Sequence, residues 1–187
     1  MKFSALDQQK NILRLRLRQK LMRLTRSERE RKSRRILEKL MKGKSFQNAH
    51  RIFTYVSLPL EVQTLSLIQE MFVQRKRVFV PAVHPKKKEI SLFEIWDLKK
   101  DLKKGRFGIL EPVRKRPAKV ETVDLFIIPG IGFERKGTRL GRGEGYFDRF
   151  LKRVKKAPKI GLAFREQIVK KIPSAAHDVP VDQVITD

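Results

Sequence analysis

Apolar residues recur along this chain with two periods, and the switch between them sets out its elements. Leu13 to Arg18 alternate leucine and arginine, a local period of two, yet Leu13, Leu17, Leu21 and Leu24 recur at spacings of four, four and three. Nearly every residue over 8–24 is a good helix former, so the longer period prevails and a helix is expected. Ser27-x-x-Glu30 has the form of a capping box and predicts a second helix from about Glu28 to Met41, stopped by Gly43. Arg51–Ser57 predicts a buried strand, and Glu61–Arg75 a helix with Val62, Leu65, Ile68 and Phe72 inward. Arg77–Val83 reads as a strand broken at Pro81, and Glu89–Ile95 as an alternating strand. A brief helix near Leu98–Lys103 and a charged, proline-containing connection over 113–119 lead to Leu125–Ile128, an apolar run suited to a buried strand. A helix over Tyr146–Val154 and a strand over Lys159–Phe164 complete the pattern.

Strands alternating with helices predict a three-layer α/β fold around a mostly parallel sheet. The short link from Val83 to Glu89 suits a hairpin, so the sheet is expected to be mixed. The 187 residues are expected to form one domain, with an N-terminal helical pair (1–44) packed on an α/β core (51–187).

Between the apolar run and the helix that follows lies Pro129–Asp148, which holds six of the ten glycines. Glycine lets backbone N–H groups approach an anion closely. Neither common nucleotide signature is met: Gly132-x-x-x-x-Gly137 is followed by Thr138-Arg139 where a P-loop needs lysine, and Gly141-x-Gly143-x-Gly145 is not GxGxxG. Arg139 and Arg142 are interleaved with these glycines, so guanidinium groups and backbone donors can converge on one anion; the other reading is a flexible loop with solvated arginines. Lys10, Arg14 and Arg18 lie one turn apart on the first helix, where like charges repel by roughly a few tenths of a kcal/mol per pair and an anion between them reverses the sign. The loop Ser57–Glu61 follows a strand, where open α/β sheets place ligands.

Charge narrows the partners. Forty-five Lys and Arg against twenty Asp and Glu give +25, and residues 1–50 hold sixteen of the cations and four of the acids. Nucleotides, polyanionic small molecules or RNA are the ligands such a chain favours. The absence of cysteine excludes disulfides and thiolate chemistry. No apolar run approaches the roughly 20 residues that span a bilayer, so a cytoplasmic protein with no membrane partner is expected. His177-Asp178 has no accompanying serine or cysteine nucleophile pattern.

The string Pro129-Gly130-x-Gly132-Phe133, then Gly137-x-Arg139-Leu140-Gly141-x-Gly143-x-Gly145-Tyr146-x-Asp148, resembles the signature of the 5-formyltetrahydrofolate cyclo-ligase family. Ala163–Gln167 and His177–Thr186 resemble further segments, so the likeness runs from Lys10 to Thr186. Glu144, where relatives usually carry Gly or Lys, and Phe147 for the usual Tyr are departures. The resemblance implies an α/β/α sandwich that converts 5-formyltetrahydrofolate and ATP to 5,10-methenyltetrahydrofolate, ADP and phosphate, with Mg²⁺ accompanying ATP. It places Lys10, Arg14, Arg139, Gly141, Arg142, Gly143, Glu144, Gly145, Tyr146 and Asp148 at ATP. Val56, Glu61, Phe107, Arg142 and Tyr146 would meet the folate, with Arg142 and Lys10 stabilising charge in the reaction. Asp148 and Asp182 would hold the metal, which takes one or two carboxylates beside phosphate oxygens. A monomer is expected. The competing reading is a basic RNA-binding protein without catalysis, for which no recognisable RNA-binding motif is present.

Overall fold

The computed structural model describes residues 4–105, 110–114 and 116–187. Three helices come first: α1 (Ala5–Met22), α2 (Arg26–Lys42) and α3 (Lys44–Asn48). Then follow β1 (Arg51–Phe53), α4 (Leu65–Val73), β2 (Arg77–His84), β3 (Glu89–Ile95), α5 (Leu98–Asp101), β4 (Leu102–Lys104), β5 (Leu110–Pro112) and β6 (Pro117–Ala118). The remainder is β7 (Leu125–Ile128), β8 (Gly132–Phe133), β9 (Arg139–Leu140), α6 (Tyr146–Leu151), β10 (Lys159–Ala163) and β11 (Gln183–Thr186). Among the described residues seven strands form one sheet in the order β11-β10-β7-β1-β2-β3-β6. It is parallel from β11 to β2 and antiparallel at β2–β3 and β3–β6, the mixed sheet expected from the short Val83–Glu89 link.

Period-two alternation divides the core between the two faces of this sheet. Leu125 and Ile127 of β7 join Ile52, Val78 and Ile160 against α1–α4, whereas Phe126 and Ile128 turn to the opposite face. There Phe53, Phe126 and Phe150 stack, with ring centroids 5.0 Å apart for Phe53–Phe150 and 5.5 Å for Phe53–Phe126, fastening α6 to the sheet. Helices on both faces give the three layers.

Several boundaries differ from expectation. The capping box of α2 is Thr25 with Glu28, not Ser27 with Glu30: Thr25 Oγ1 accepts from Glu28 N at 3.2 Å, and Glu28 Oε2 accepts from Thr25 N at 2.8 Å. The two boxes overlap, and the earlier start gains a backbone bond from Arg29 N to Thr25 O, leaving Glu30 to pair with Arg26. α4 begins only at Leu65, because the preceding loop is tied down by Gln63 N to Ser33 Oγ at 3.0 Å and Thr64 Oγ1 to Tyr55 O at 2.6 Å. Its inward residues are Leu67, Ile68 and Met71, while Leu65 is exposed. β2 is unbroken at Pro81. Phe79 O accepts from Thr54 N on the β1 side, so by alternation the Pro81 nitrogen faces the same way, and its missing N–H coincides with the end of the β1–β2 ladder at Phe53 while pairing with β3 continues.

Candidate active site

A cavity of about 290 Å³ opens at the carboxyl ends of β1, β2 and β7. Tyr55, Val56, Leu58 and Glu61 from the β1–α4 connection form one wall; Pro81, Val83 and Ile90 from the β2–β3 hairpin form another. Pro129, Gly130 and the stretch from Arg139 to Asp148 close it. The walls are mainly apolar, and Glu61 is a fixed acid on the β1–α4 side of them. Its Oε2 accepts from Leu58 N at 2.9 Å, and its Oε1 accepts from Arg142 Nη2 at 2.9 Å. Tyr55 is structural: its hydroxyl donates to Val62 O at 3.1 Å, and burial, then the charge of Glu61, push its pKa well above the usual phenol value. An apolar slot with a fixed carboxylate on one wall suits a flat heterocycle bearing N–H donors.

The cationic side is built where α1 crosses the glycine stretch. Arg14 Nε donates to Gly141 O at 2.8 Å and Nη1 to Asn11 Oδ1 at 2.6 Å. A Cβ on Gly143 would stand 3.5 Å from this guanidinium, so bare backbone is what meets it. Burial, then the neighbouring charge of Arg18, lower the Arg14 pKa, the condition of a cation short of counter-charge. Gly143 and Gly145 have φ of +116° and +66°, left-handed values that side chains resist. One turn before Arg14, Lys10 is only 6% exposed, with Nζ 2.5 Å from Asp178 Oδ2.

The structure gathers most of the expected residues and reassigns some. Arg14, Gly141 and Gly143 meet at the crossing, with Lys10 one helical turn earlier, while Val56, Glu61, Arg142, Gly145, Tyr146 and Asp148 line the cavity. Arg142 is exposed enough to turn, and Glu144 is exposed at the cavity lining while its carbonyl holds Arg149. Arg139 is different: 4% exposed, it lies under Gly141, bonds Asp148 Oδ1 at 2.6 Å and faces the Phe147 ring. It is a strut beneath the loop. Phe107 falls outside the described residues.

The expected partnership of Asp148 with Asp182 is corrected. Asp182 is held at the start of β10 by Lys159, through N at 2.7 Å and Nζ at 2.9 Å, whereas Asp148 bonds Arg139 and Val179 N. Lysine neutralises Asp182 at the opposite end of β10 from the cavity. Among the described residues no group of three or more metal-ligating side chains forms. Asp148 alone still fits a phosphate-chelated Mg²⁺, since both its bonds fall on Oδ1 and Oδ2 remains. Asp178, set aside in the sequence because no nucleophile accompanies His177-Asp178, pairs instead with Lys10, a lysine 168 positions away that no local pattern marks.

The model of the 5-formyltetrahydrofolate cyclo-ligase family matches residues 6–187. The mouse 5-formyltetrahydrofolate cyclo-ligase is 34% identical over 184 residues, covering 92% of this chain and 91% of that protein. The Escherichia coli K12 protein of the same name is 31% identical over 142 residues, 74% of this chain and 78% of its own. Among solved structures, the Aquifex aeolicus 5,10-methenyltetrahydrofolate synthetase superposes with a TM-score of 0.83 at 35% identity, over 94% of this chain and 88% of that one. The synthetase from Mycoplasma pneumoniae gives 0.76 at 27% identity, over 95% and 98%. The RNA-binding reading finds no support in these likenesses. A sheet-end cavity with a fixed carboxylate, a glycine stretch gripped by α1, and a match running almost from end to end are one consistent result: the chain belongs to the 5-formyltetrahydrofolate cyclo-ligase family.

Proposed function

We propose that this chain converts 5-formyltetrahydrofolate and ATP to 5,10-methenyltetrahydrofolate, ADP and phosphate, with the folate in the apolar cavity and the triphosphate where α1 crosses the glycine stretch. The observation that carries this reading is the Glu61–Arg142 ion pair, which joins the carboxylate of the cavity to the cation of the loop. Glu61 accepts N–H bonds from the pterin, with Val56 and Tyr146 against the ring. Arg142, released as the ring takes its place on Glu61, turns to the γ-phosphate.

The chemical obstacle is that an amide oxygen leaves poorly. Attack of the formyl oxygen on the γ-phosphorus forms a phosphate ester and expels ADP; the neighbouring folate nitrogen then attacks the activated carbon, and phosphate departs, taking up the proton that this nitrogen loses. No protein nucleophile is needed. The chain aligns the two reactants and stabilises charge on the phosphoryl oxygens through Lys10, Arg14, Arg142 and the backbone N–H groups of Gly141–Gly145. Mg²⁺, when bound with ATP, would be held by Asp148 and would neutralise phosphate charge. The enzyme would act as a monomer in the cytoplasm. Among the described residues no helix is long and apolar enough to cross a membrane.

Mixing protein, Mg-ATP and 5-formyltetrahydrofolate should raise the near-ultraviolet absorbance of the methenyl product with one phosphate released per product. An unchanged spectrum across the temperature range in which the protein stays folded overturns the assignment.

A further inference from the structure

The β2–β3 hairpin carries one wall of the cavity, yet the sheet supports it poorly. Pairing of β2 with β1 ends at Phe79 and pairing of β3 with β6 begins at Leu92, so from Ala82 to Ser91 the two strands pair only with each other among the described residues. A two-stranded arm is marginal alone, and where it stands is set by what it touches. Val83 and Ile90, which line the cavity, lie on this arm. Arg149, exposed on α6, reaches it: Nε donates to Lys88 O at 2.8 Å, while Nη2 donates to Glu144 O at 2.9 Å in the glycine stretch. The same guanidinium lies over the ring of Tyr146, 5.4 Å from its centroid, and that residue lines the cavity too. Lys88 has a φ of +51°, a left-handed value that lysine resists, and the strained residue of the turn is thus the one whose carbonyl Arg149 takes.

We propose that Arg149 is a positioning residue for the folate half of the site, a fork that fixes the hairpin wall and the Tyr146 ring at one spacing from the glycine stretch. This rests on the reading of the cavity as the folate site. A guanidinium presents its donors in a rigid plane, so satisfying both carbonyls with one side chain sets the distance between them. A lysine ammonium, a point charge on a flexible stem, would set none. The cation over Tyr146 also holds that ring in place. The phosphate half has an anchor of its own, the Arg14 bond to Gly141 O, so loss of the fork falls on folate rather than on ATP. Arg153 makes a longer contact to Ile90 O at 3.5 Å, a weak second tie to the arm. Both Arg149 bonds are open to water, so they add little to global stability and act through geometry.

The test compares Arg149→Met, which keeps an unbranched stem but no donor, and Arg149→Lys with the wild type, in the methenyl-forming assay and in calorimetric binding of 5-formyltetrahydrofolate without ATP. Arg149→Met should raise the folate KM and weaken folate binding about tenfold, the scale of one or two hydrogen bonds. The KM for ATP should stay within about twofold and Tm within about 2 °C, the split that a general loss of structure would not give. Arg149→Lys, which can reach one carbonyl at a time, should recover only part of the loss. Unchanged folate KM and affinity in Arg149→Met, both KM values rising together, or full recovery by Arg149→Lys would each overturn the proposal. Wild-type protein that binds 5-formyltetrahydrofolate but makes no methenyl product overturns the cyclo-ligase reading alone, because the binding comparison still decides the fork; wild-type protein that does not bind it overturns both.

Discussion

Arg139 and Arg142 stand three residues apart in one glycine-rich stretch and have opposite surroundings. The Arg142 side chain is 48% exposed and reaches Glu61, whereas Arg139 is sealed against Asp148 and Gly141. Arg142→Ala should therefore cut turnover about 100-fold or more, the scale of one lost transition-state donor, and lower Tm only slightly, since water can reach Glu61 where the half-exposed guanidinium stood. Arg139→Ala leaves Asp148 unpaired and also a void where a side chain only 2% exposed was packed, and should cost about 3 kcal/mol, so thermal melting and activity fall together. Equal effects of the two substitutions on Tm would refute the distinction. Sequence made both arginines candidates for the same anion, because residue type and spacing report charge but not which side chain the fold buries. Glu61 was named through the family resemblance, and its loop lies just beyond a strand end.

Among the elements, strands with an unbroken pattern were read closely, while helix starts and the two-residue strands were not. β3 and β7 have their expected bounds, since unbroken alternation or an unbroken apolar run leaves little choice of register. The start of α2 was misread between overlapping capping boxes, and this gives a clean comparison. Thr25→Ala should lower stability by about 1 kcal/mol, or roughly 3 °C in Tm, while Ser27→Ala should change it little. Thermal melts of the two variants check this, and the reverse ranking would restore Ser27 as the cap. β8 and β9 were hidden inside the glycine stretch: two-residue strands carry no periodicity, and only pairing with each other and with Ile168 makes them. The hairpin turn between them depends on Gly137, at φ +102°, where a Cβ would overlap the Val181 carbonyl. Gly137→Ala should sharply lower both Tm and soluble yield.

For the whole molecule, acids tie distant parts of a very basic chain together. Asp187 and Glu166 both accept Lys32 at 2.8 Å, binding the last residue to α2, and buried Asp101 accepts Arg116 at 2.8 Å. In Asp101, Asp178 and Asp187 burial works to raise the pKa, but the paired cations and backbone N–H groups win and hold it below the ordinary aspartate value. The unfolded chain then takes up protons first as pH falls, so this stability is complete above about pH 4 and drains away below it, through the folded pKa values. Melting curves from pH 7 to pH 3 should be flat and then drop steeply below about pH 4, more gently in Asp101→Asn; a steady decline from neutrality would refute this. The order of amino acids alone determined the alternation of strands and helices, the anion-seeking charge and the glycine stretch, because periodicity, composition and backbone freedom are local properties. The tertiary structure decided which charges meet. Asp178 reaches Lys10 across 168 positions while Asp182 is lost to Lys159, since the partner of a carboxylate depends on which strand ends the sheet order brings side by side.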